Sequence, residues 1–175
     1  MKIPVFVSCP TSLNNSQENS RKIILKQLNN LGMEPRALGR SDYPIEYPLR
    51  EVLVIAKHCS GAVILGFEQF TTKSGVLKRG TKEKRIIDYK ISFPTPWNQL
   101  EAGLLFTLGT PLLVFKEKNI SGGVFDPGVT DVFIHKMPVG KLTKKTREEL
   151  KEVFLNWQRR VRNHYYDLNN FKITL

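Results

Sequence analysis

The chain of 175 residues has room for one compact domain and excludes a second domain of full size. Hydrophobic residues make up 41% and aromatic residues 10% of the sequence, which is too much apolar material for a disordered chain. The net charge of +11 favours a polyanionic partner such as nucleic acid, although two solvated basic surfaces would give the same charge.

Membrane contact and export are both disfavoured by the sequence. No apolar run approaches the ~20 residues that cross a bilayer, and the start MKIPVFVSCP lacks the features of a signal peptide. Cys9 and Cys59 are too few for a disulfide framework and have no metal-ligand spacing. We therefore expect a cytoplasmic protein with reduced thiols.

The first third of the chain reads as strand, helix, strand and loop. An apolar run at residues 4–8 predicts the first strand. Ser16 is the expected cap of the helix that follows, and Gly32 ends that helix. Residues 33–38 predict a short second strand, and the turn formers of residues 39–48 predict a loop.

The middle of the chain repeats the pattern and then interrupts it. Pro48 suits the first turn of a second helix, whose expected buried face is Leu49, Val52, Leu53, Ala56 and Cys59. The unbroken apolar run at residues 62–67 is typical of a central parallel strand. Residues 68–94 are basic and too long for an ordinary connection, so we interpret them as an inserted basic loop or flap.

Order resumes at a third helix. Thr95 and Pro96 read as its cap and first residue, and Gly109 ends it before a buried strand at residues 111–115. Residues 132–135 predict a last short strand. The basic segment 141–175 is expected to hold a terminal helix from about residue 143 to 165, with an apolar side formed by Leu150, Val153, Phe154, Trp157 and Val161.

The five strands alternate with helices, which predicts an α/β fold in a single domain, residues 1–175. We expect a flavodoxin-like, five-stranded parallel sheet flanked by helices, with the basic insertion before the third helix. Ligands of such sheets bind beyond the carboxyl ends of the strands. The places to search for a site are therefore residues 8–11, 39–47 and 66–70, the start of the third helix, and the chain from Lys116 onward.

Glu101 is the most informative residue of that helix. It shares a face with Trp97, Asn98, Leu104 and Leu105, since positions three and four apart are neighbours on a helix. A lone carboxylate in an apolar stripe is costly unless it has a partner or a ligand. The alternative is a slightly rotated helix on which Glu101 is solvated.

Trp97 and Glu101 form the motif W-x-x-x-E after the segment PLREVLVIAKHCSGAVILGFEQF, and this order resembles that of TIR domains. The stretch LEAGLLFTLGTPLLVF also resembles the nucleoside 2-deoxyribosyltransferase-like proteins, which place an active Glu in such a helix. The resemblance covers roughly residues 3–135, by order of elements more than by identity. The basic insertion and the strand end FVSCP depart from the usual TIR pattern.

Both families act at the C1′ to nitrogen bond of a nucleoside or nucleotide, so the resemblance implies that Glu101 is catalytic. It implies a TIR-like NAD hydrolase or cyclase that uses NAD as its substrate and needs no cofactor. It further implies a role in prokaryotic immune or cell-death signalling, with a homo-oligomer or a partner protein controlling activity. A nucleoside 2-deoxyribosyltransferase or nucleotide N-glycosidase is one alternative. A non-catalytic module that senses a nucleotide or binds nucleic acid through the basic segments is the other.

Leaving-group chemistry favours NAD among these substrates. Nicotinamide is cationic in NAD and leaves as a neutral base without a general acid, whereas a neutral purine or pyrimidine usually needs a proton donor. The sequence offers no evident second acid beside Glu101.

Further substrate-binding candidates come from the strand ends and from the third helix: Ser8, Cys9, Pro10, Arg40, Asp42, Phe67, Trp97 and Asn98. The same residues have simpler interpretations: Trp97 as a core anchor, Asn98 as a helix cap, and Arg40 and Asp42 as parts of a surface loop. The three histidines show no metal spacing, and neither a G-x-G-x-x-G fingerprint nor a P-loop is present. We expect no metal site.

Overall fold

The computed structural model describes residues 2–39 and 47–173, with side chains described up to residue 167. The elements, in chain order, are β1 (Ile3–Ser8), α1 (Asn15–Asn30), β2 (Met33–Arg36), α2 (Pro48–Lys57), β3 (Ala62–Gly66), β4 (Phe70–Thr72), β5 (Gly75–Leu77), β6 (Arg85–Ile87), β7 (Ile91–Phe93), α3 (Pro96–Thr107), β8 (Leu112–Lys116), β9 (Ile134–Lys136) and α4 (Lys144–Ile173).

Five of the strands form one parallel sheet in the order β2-β1-β3-β8-β9. Counting only these strands, the order is 2-1-3-4-5, which is the flavodoxin-like layout. The predicted α/β class and the five-stranded parallel sheet flanked by helices are thus confirmed. The connection from β8 to β9 holds a short 3-10 turn, Gly123–Phe125.

The core lies in two layers, one on each side of the sheet. On one side α1 and α4 cover a cluster that includes Val5, Val63 and Phe115. On the other side α2 and α3 cover a cluster that includes Phe6, Ile64 and Val114. Successive residues of each central strand therefore face opposite helical layers, which explains why these strands are apolar without interruption.

Helix α4 packs on the same side of the sheet as α1. Its predicted apolar residues Leu150, Phe154, Trp157 and Val161 are buried, and Val153 is partly buried. Trp157 Nε1 donates a hydrogen bond to the Pro111 carbonyl (2.9 Å), and Gln158 Nε2 donates one to the Leu31 carbonyl (3.0 Å). The helix extends beyond the predicted end near residue 165, to Ile173.

Two details of the helices differ from the sequence predictions. The cap of α1 is Asn14 and not Ser16: the Asn14 side chain accepts from the Gln17 amide (2.9 Å), and the Gln17 side chain accepts from the Asn14 amide (3.2 Å). In α2 the buried residues are Val52, Ile55 and Ala56, while Leu49 is 47% exposed. Val52, Ala56 and Cys59 of the predicted face are buried and Leu53 is half-buried, whereas Ile55 takes the buried place predicted for Leu49.

The segment interpreted as an inserted basic loop contains four short strands. Strand β4 pairs with β7 and β5 pairs with β6, both antiparallel, so the chain runs out and returns as a hairpin. None of the helices in the described part of the chain combines the length and the apolar composition needed to cross a membrane.

Candidate active site

Helix α3 begins at the carboxyl edge of the sheet, beside the end of β1. Thr95 caps it by accepting a hydrogen bond from the Asn98 amide (3.3 Å), and Pro96 occupies its first position, as predicted. This start orients the helix so that its buried side chains are Asn98, Glu101, Ala102 and Leu105. Two polar side chains of α3 are thereby carried into the interior near Ser8.

A chain of hydrogen bonds joins these polar groups. Thr95 Oγ1 donates to Asn98 Oδ1 (3.1 Å), which fixes the orientation of the amide. Asn98 Nδ2 donates to Ser8 Oγ (2.7 Å), and the Ser8 hydroxyl is hydrogen-bonded to the Glu101 carboxylate. Since Ser8 Oγ accepts from Asn98, its single proton is available to Glu101. The buried Asn98 side chain therefore orients the Ser8 hydroxyl toward the carboxylate.

Glu101 is only 9% exposed. Burial away from water raises its pKa from the ordinary value of 4.5 to about 7, and the Ser8 hydrogen bond offsets part of this effect. At neutral pH the side chain is therefore present as carboxylate and as carboxylic acid in comparable amounts. Strongly shifted carboxyl groups cluster at functional sites, so Glu101 is a candidate for a chemical role.

Glu101 forms part of the wall of a cleft of about 320 Å³. The loop after β1 also lines the cleft, at Cys9, Pro10 and Thr11, as does Trp97, which is 42% exposed. The volume is at the lower end of the ~300–1,000 Å³ that is typical of ligand sites. It is large enough for a nucleoside-sized part of a ligand.

The structure brings most of the predicted site residues together. Glu101, Cys9, Pro10 and Trp97 line the cleft, while Ser8 and Asn98 lie directly behind Glu101 and are fully or almost fully buried. Ser8 and Asn98 are thus placed to position the carboxylate, whereas the prediction had them binding substrate. Trp97 does not belong to either core cluster.

One predicted residue is not brought to the cleft, and two others cannot be assigned a position. Phe67 is fully buried in the core layer under α1 and α4, on the far side of the sheet from α3, so it cannot contact a ligand there. Arg40 and Asp42 lie outside the described residues.

Five lining residues were not among the predicted site residues: Thr11, Leu38, Gly39, Pro48 and Thr95. Each follows a strand or opens a helix at the carboxyl edge, which is the region that the fold class marks for ligands. Their side chains carry no chemical signal in the sequence. Thr11, Gly39 and Thr95 fall in the stretches that the strand ends marked for ligands, whereas Leu38 and Pro48 lie just outside them.

Within residues 2–39 and 47–173 the structure does not bring three or more potential metal ligands together. Comparison of the chain with protein-family models, with curated proteins and with solved structures finds no match in any of the three. The geometry of the cleft therefore carries the functional argument.

Proposed function

We propose that the protein is an N-glycosidase that cleaves the bond between the ribose C1′ and the nicotinamide of NAD, with Glu101 as its catalytic carboxylate. The observation that carries the proposal is the buried Glu101 carboxyl in the wall of a nucleoside-sized cleft at the carboxyl edge of the sheet. The W-x-x-x-E motif of residues 97–101 resembles that of TIR domains, and residues 100–115 resemble the deoxyribosyltransferase-like proteins. Both resemblances support the same chemistry.

In this mechanism the C1′–N bond breaks with its electron pair moving to the pyridinium nitrogen, so nicotinamide leaves as a neutral base. The ribosyl carbon develops oxocarbenium character, which the Glu101 carboxylate stabilises or attacks. Water then adds to C1′ and releases one proton, giving ADP-ribose. If a nucleophile within the same molecule replaces the water, the product is cyclic.

NAD is favoured because the described part of the cleft supplies one carboxyl group. Among the cleft residues that the structure describes, Glu101 is the only acidic one. A carboxylate that stabilises the ribosyl cation has to be ionised, so no acid remains to protonate a leaving base. Nicotinamide needs no such proton.

The second candidate is a nucleoside 2-deoxyribosyltransferase or nucleotide N-glycosidase, and the raised pKa of Glu101 favours it. With a pKa of about 7, much of the Glu101 population is protonated at neutral pH. The protonated form can donate its proton to a neutral purine or pyrimidine as the base leaves. This reaction requires the acid form of Glu101, whereas NAD cleavage requires the carboxylate.

The test is to incubate the protein with NAD and to measure released nicotinamide over a range of protein concentrations, because assembly is expected to control activity. Glu101→Gln should lose the release while keeping the fold. Leu100→Gln is the matched control, because it places the same side chain on the exposed side of the same helix, where Leu100 is 49% exposed. Release that is unchanged in Glu101→Gln removes Glu101 from the mechanism.

Parallel incubations with deoxynucleosides, with and without an acceptor base, and with nucleoside monophosphates test the second candidate. Free base or base exchange that depends on Glu101, without nicotinamide release from NAD, would replace the first candidate by the second.

A further inference from the structure

The inserted segment forms a hairpin of its own, residues 70–93, which we call the basic arm. Its strands β4 to β7 pair only with one another and add no strand to the central sheet. The sole ladder contact of the arm with the described part of the body is an isolated bridge between Ser92 and Ile120. Most of the arm therefore presents its side chains to solvent.

The base of the arm is held firmly. Gln69 donates its amide hydrogen to the Phe93 carbonyl (3.0 Å), and Ser92 Oγ donates to Glu68 (2.9 Å). The same Glu68 carboxylate accepts from Asn119 Nδ2 (2.8 Å) and pairs with Lys90 (2.8 Å). These contacts orient the arm without burying its outer parts.

The charge of the arm is mostly uncompensated. Residues 73–90 contain seven lysine or arginine residues and two acidic residues, and all seven basic residues are exposed. Lys78 pairs with Glu83, and Lys90 pairs with Glu68. Five have no ion-pair partner in the described part of the chain: Lys73, Arg79, Lys82, Lys84 and Arg85. This many basic side chains without an ion-pair partner on one hairpin favour the binding of a polyanion.

Aromatic rings lie beside these cations. Phe70 and Phe93 are direct cross-strand partners, with ring centroids 6.4 Å apart, and they are 63% and 36% exposed. The next pair, Thr71 and Ser92, is hydrogen-bonded (2.9 Å) and faces Glu68, so the alternation of the strands turns the two phenylalanines to the other face of the ribbon. Tyr89 is 62% exposed. Exposed rings on a basic surface are unusual for a merely solvated segment.

We propose that the basic arm binds single-stranded nucleic acid, independently of the reaction at Glu101. The free cations contact phosphates, and Phe70 and Phe93 stack on unpaired bases. Cationic surfaces combined with aromatic platforms bind single strands with little sequence preference, because every base has a π-face. A duplex keeps its bases stacked on one another and leaves the two rings no free base face to stack on.

The first measurement is the fluorescence anisotropy of a labelled oligothymidine of about 20 nucleotides, between about 50 and 200 mM salt. The logarithm of the association constant should fall linearly with the logarithm of the salt concentration. In the triple variant Arg79→Gln, Lys82→Gln and Lys84→Gln, the slope should be shallower by about 2, since each phosphate contact on a single strand contributes about 0.7. The matched control removes three exposed cations from α4: Lys151→Gln, Arg159→Gln and Arg160→Gln. An equal effect of both triple variants assigns the binding to overall charge and overturns the proposal.

The second measurement separates base stacking from phosphate contact. Phe70→Leu keeps an apolar side chain but removes the ring, and it should weaken binding by roughly 5- to 150-fold. Phe70→Trp should retain or strengthen binding. Equal binding of a duplex of the same length, unchanged binding by Phe70→Leu, or absence of binding at low salt would each overturn the proposal. Co-sedimentation with phosphatidylserine vesicles without oligonucleotide binding would identify a membrane surface as the partner instead.

Discussion

Replacing Glu101 with glutamine should stabilise the protein, and the gain should grow with pH. The amide introduced by Glu101→Gln would keep an oxygen for the Ser8 hydroxyl, but it cannot ionise. In the wild-type protein, burial penalises the charged form of Glu101, whose pKa rises from 4.5 to about 7 on folding. Below 4.5 the residue is protonated in both the folded and the unfolded state and has no effect; above about 7 it is ionised in both and destabilises the folded state fully.

The size of this effect follows from the two pKa values. The full shift corresponds to roughly 3 kcal/mol, of which about 2.5 kcal/mol develops between about pH 5 and about pH 8. The free energy of unfolding of the wild-type protein should fall by this amount relative to the variant across that range. For a chain of this size, the melting temperature of the variant minus that of the wild-type protein should then be about 5–10 °C larger at the upper end of this pH range than at the lower end.

The assay is urea denaturation of both proteins at several pH values, with unfolding followed by circular dichroism. Comparing the difference at two pH values cancels any constant cost of the amide group. Glu152→Gln, on an exposed position of α4, controls for the loss of one negative charge. A difference between Glu101→Gln and wild type that stays flat from about pH 5 to about pH 8 would refute the buried, ionisable state assigned to Glu101.

Three further outcomes are expected. The kcat/KM for nicotinamide release should rise about tenfold per pH unit below about 7 and then level off, because the carboxylate is the active form; a decrease above about 7 would indicate the acid form instead. Ser8→Ala removes the hydrogen bond that lowers the pKa of Glu101, so the rising part of this pH profile should move to higher pH. A rising part that does not move would contradict the role given to Ser8. Gly61→Ala should cost about 1–3 kcal/mol in urea denaturation, since its Cβ would lie 2.6 Å from Val161 Cγ2, whereas Gly103→Ala meets nothing within 4 Å and should stabilise α3 by about 0.5–1 kcal/mol.

Much of the fold was predictable because local signals and long-range packing agree in it. The apolar run at residues 62–67 is β3 at the centre of the sheet, and Thr95 with Pro96 begins α3 at the predicted position. The cap of α1 was misplaced because Asn14, Asn15 and Ser16 are all good caps by composition. The reciprocal bond with Gln17 selects Asn14, and only the spacing to that glutamine could have shown it.

The sequence placed Glu101, Cys9, Pro10 and Trp97 at the cleft, but it did not show the contacts that position Glu101. A lone acid on an apolar helix face is visible in the sequence, because burying it has a known cost. The bond from Asn98 to Ser8 joins residues 90 positions apart, so no local pattern reports it. Phe67 was assigned to the site because it follows a strand that ends at the correct edge. Its side chain faces the other core layer, and sequence alone does not fix which side the last residue of a buried strand takes when both sides are apolar.

The position of α4 after all the strands has a consequence for biosynthesis. A ribosome releases β1 to β9 before it releases the α4 residues that, together with α1, cover one side of the sheet: Leu150, Phe154, Trp157 and Val161. Until that helix emerges, on the order of seconds at about 5–20 residues per second, the nascent chain exposes a strip of aliphatic strand residues. Chaperones and proteases thus meet a half-covered intermediate during translation, and its lifetime depends on the rate at which the codons for the helix are read.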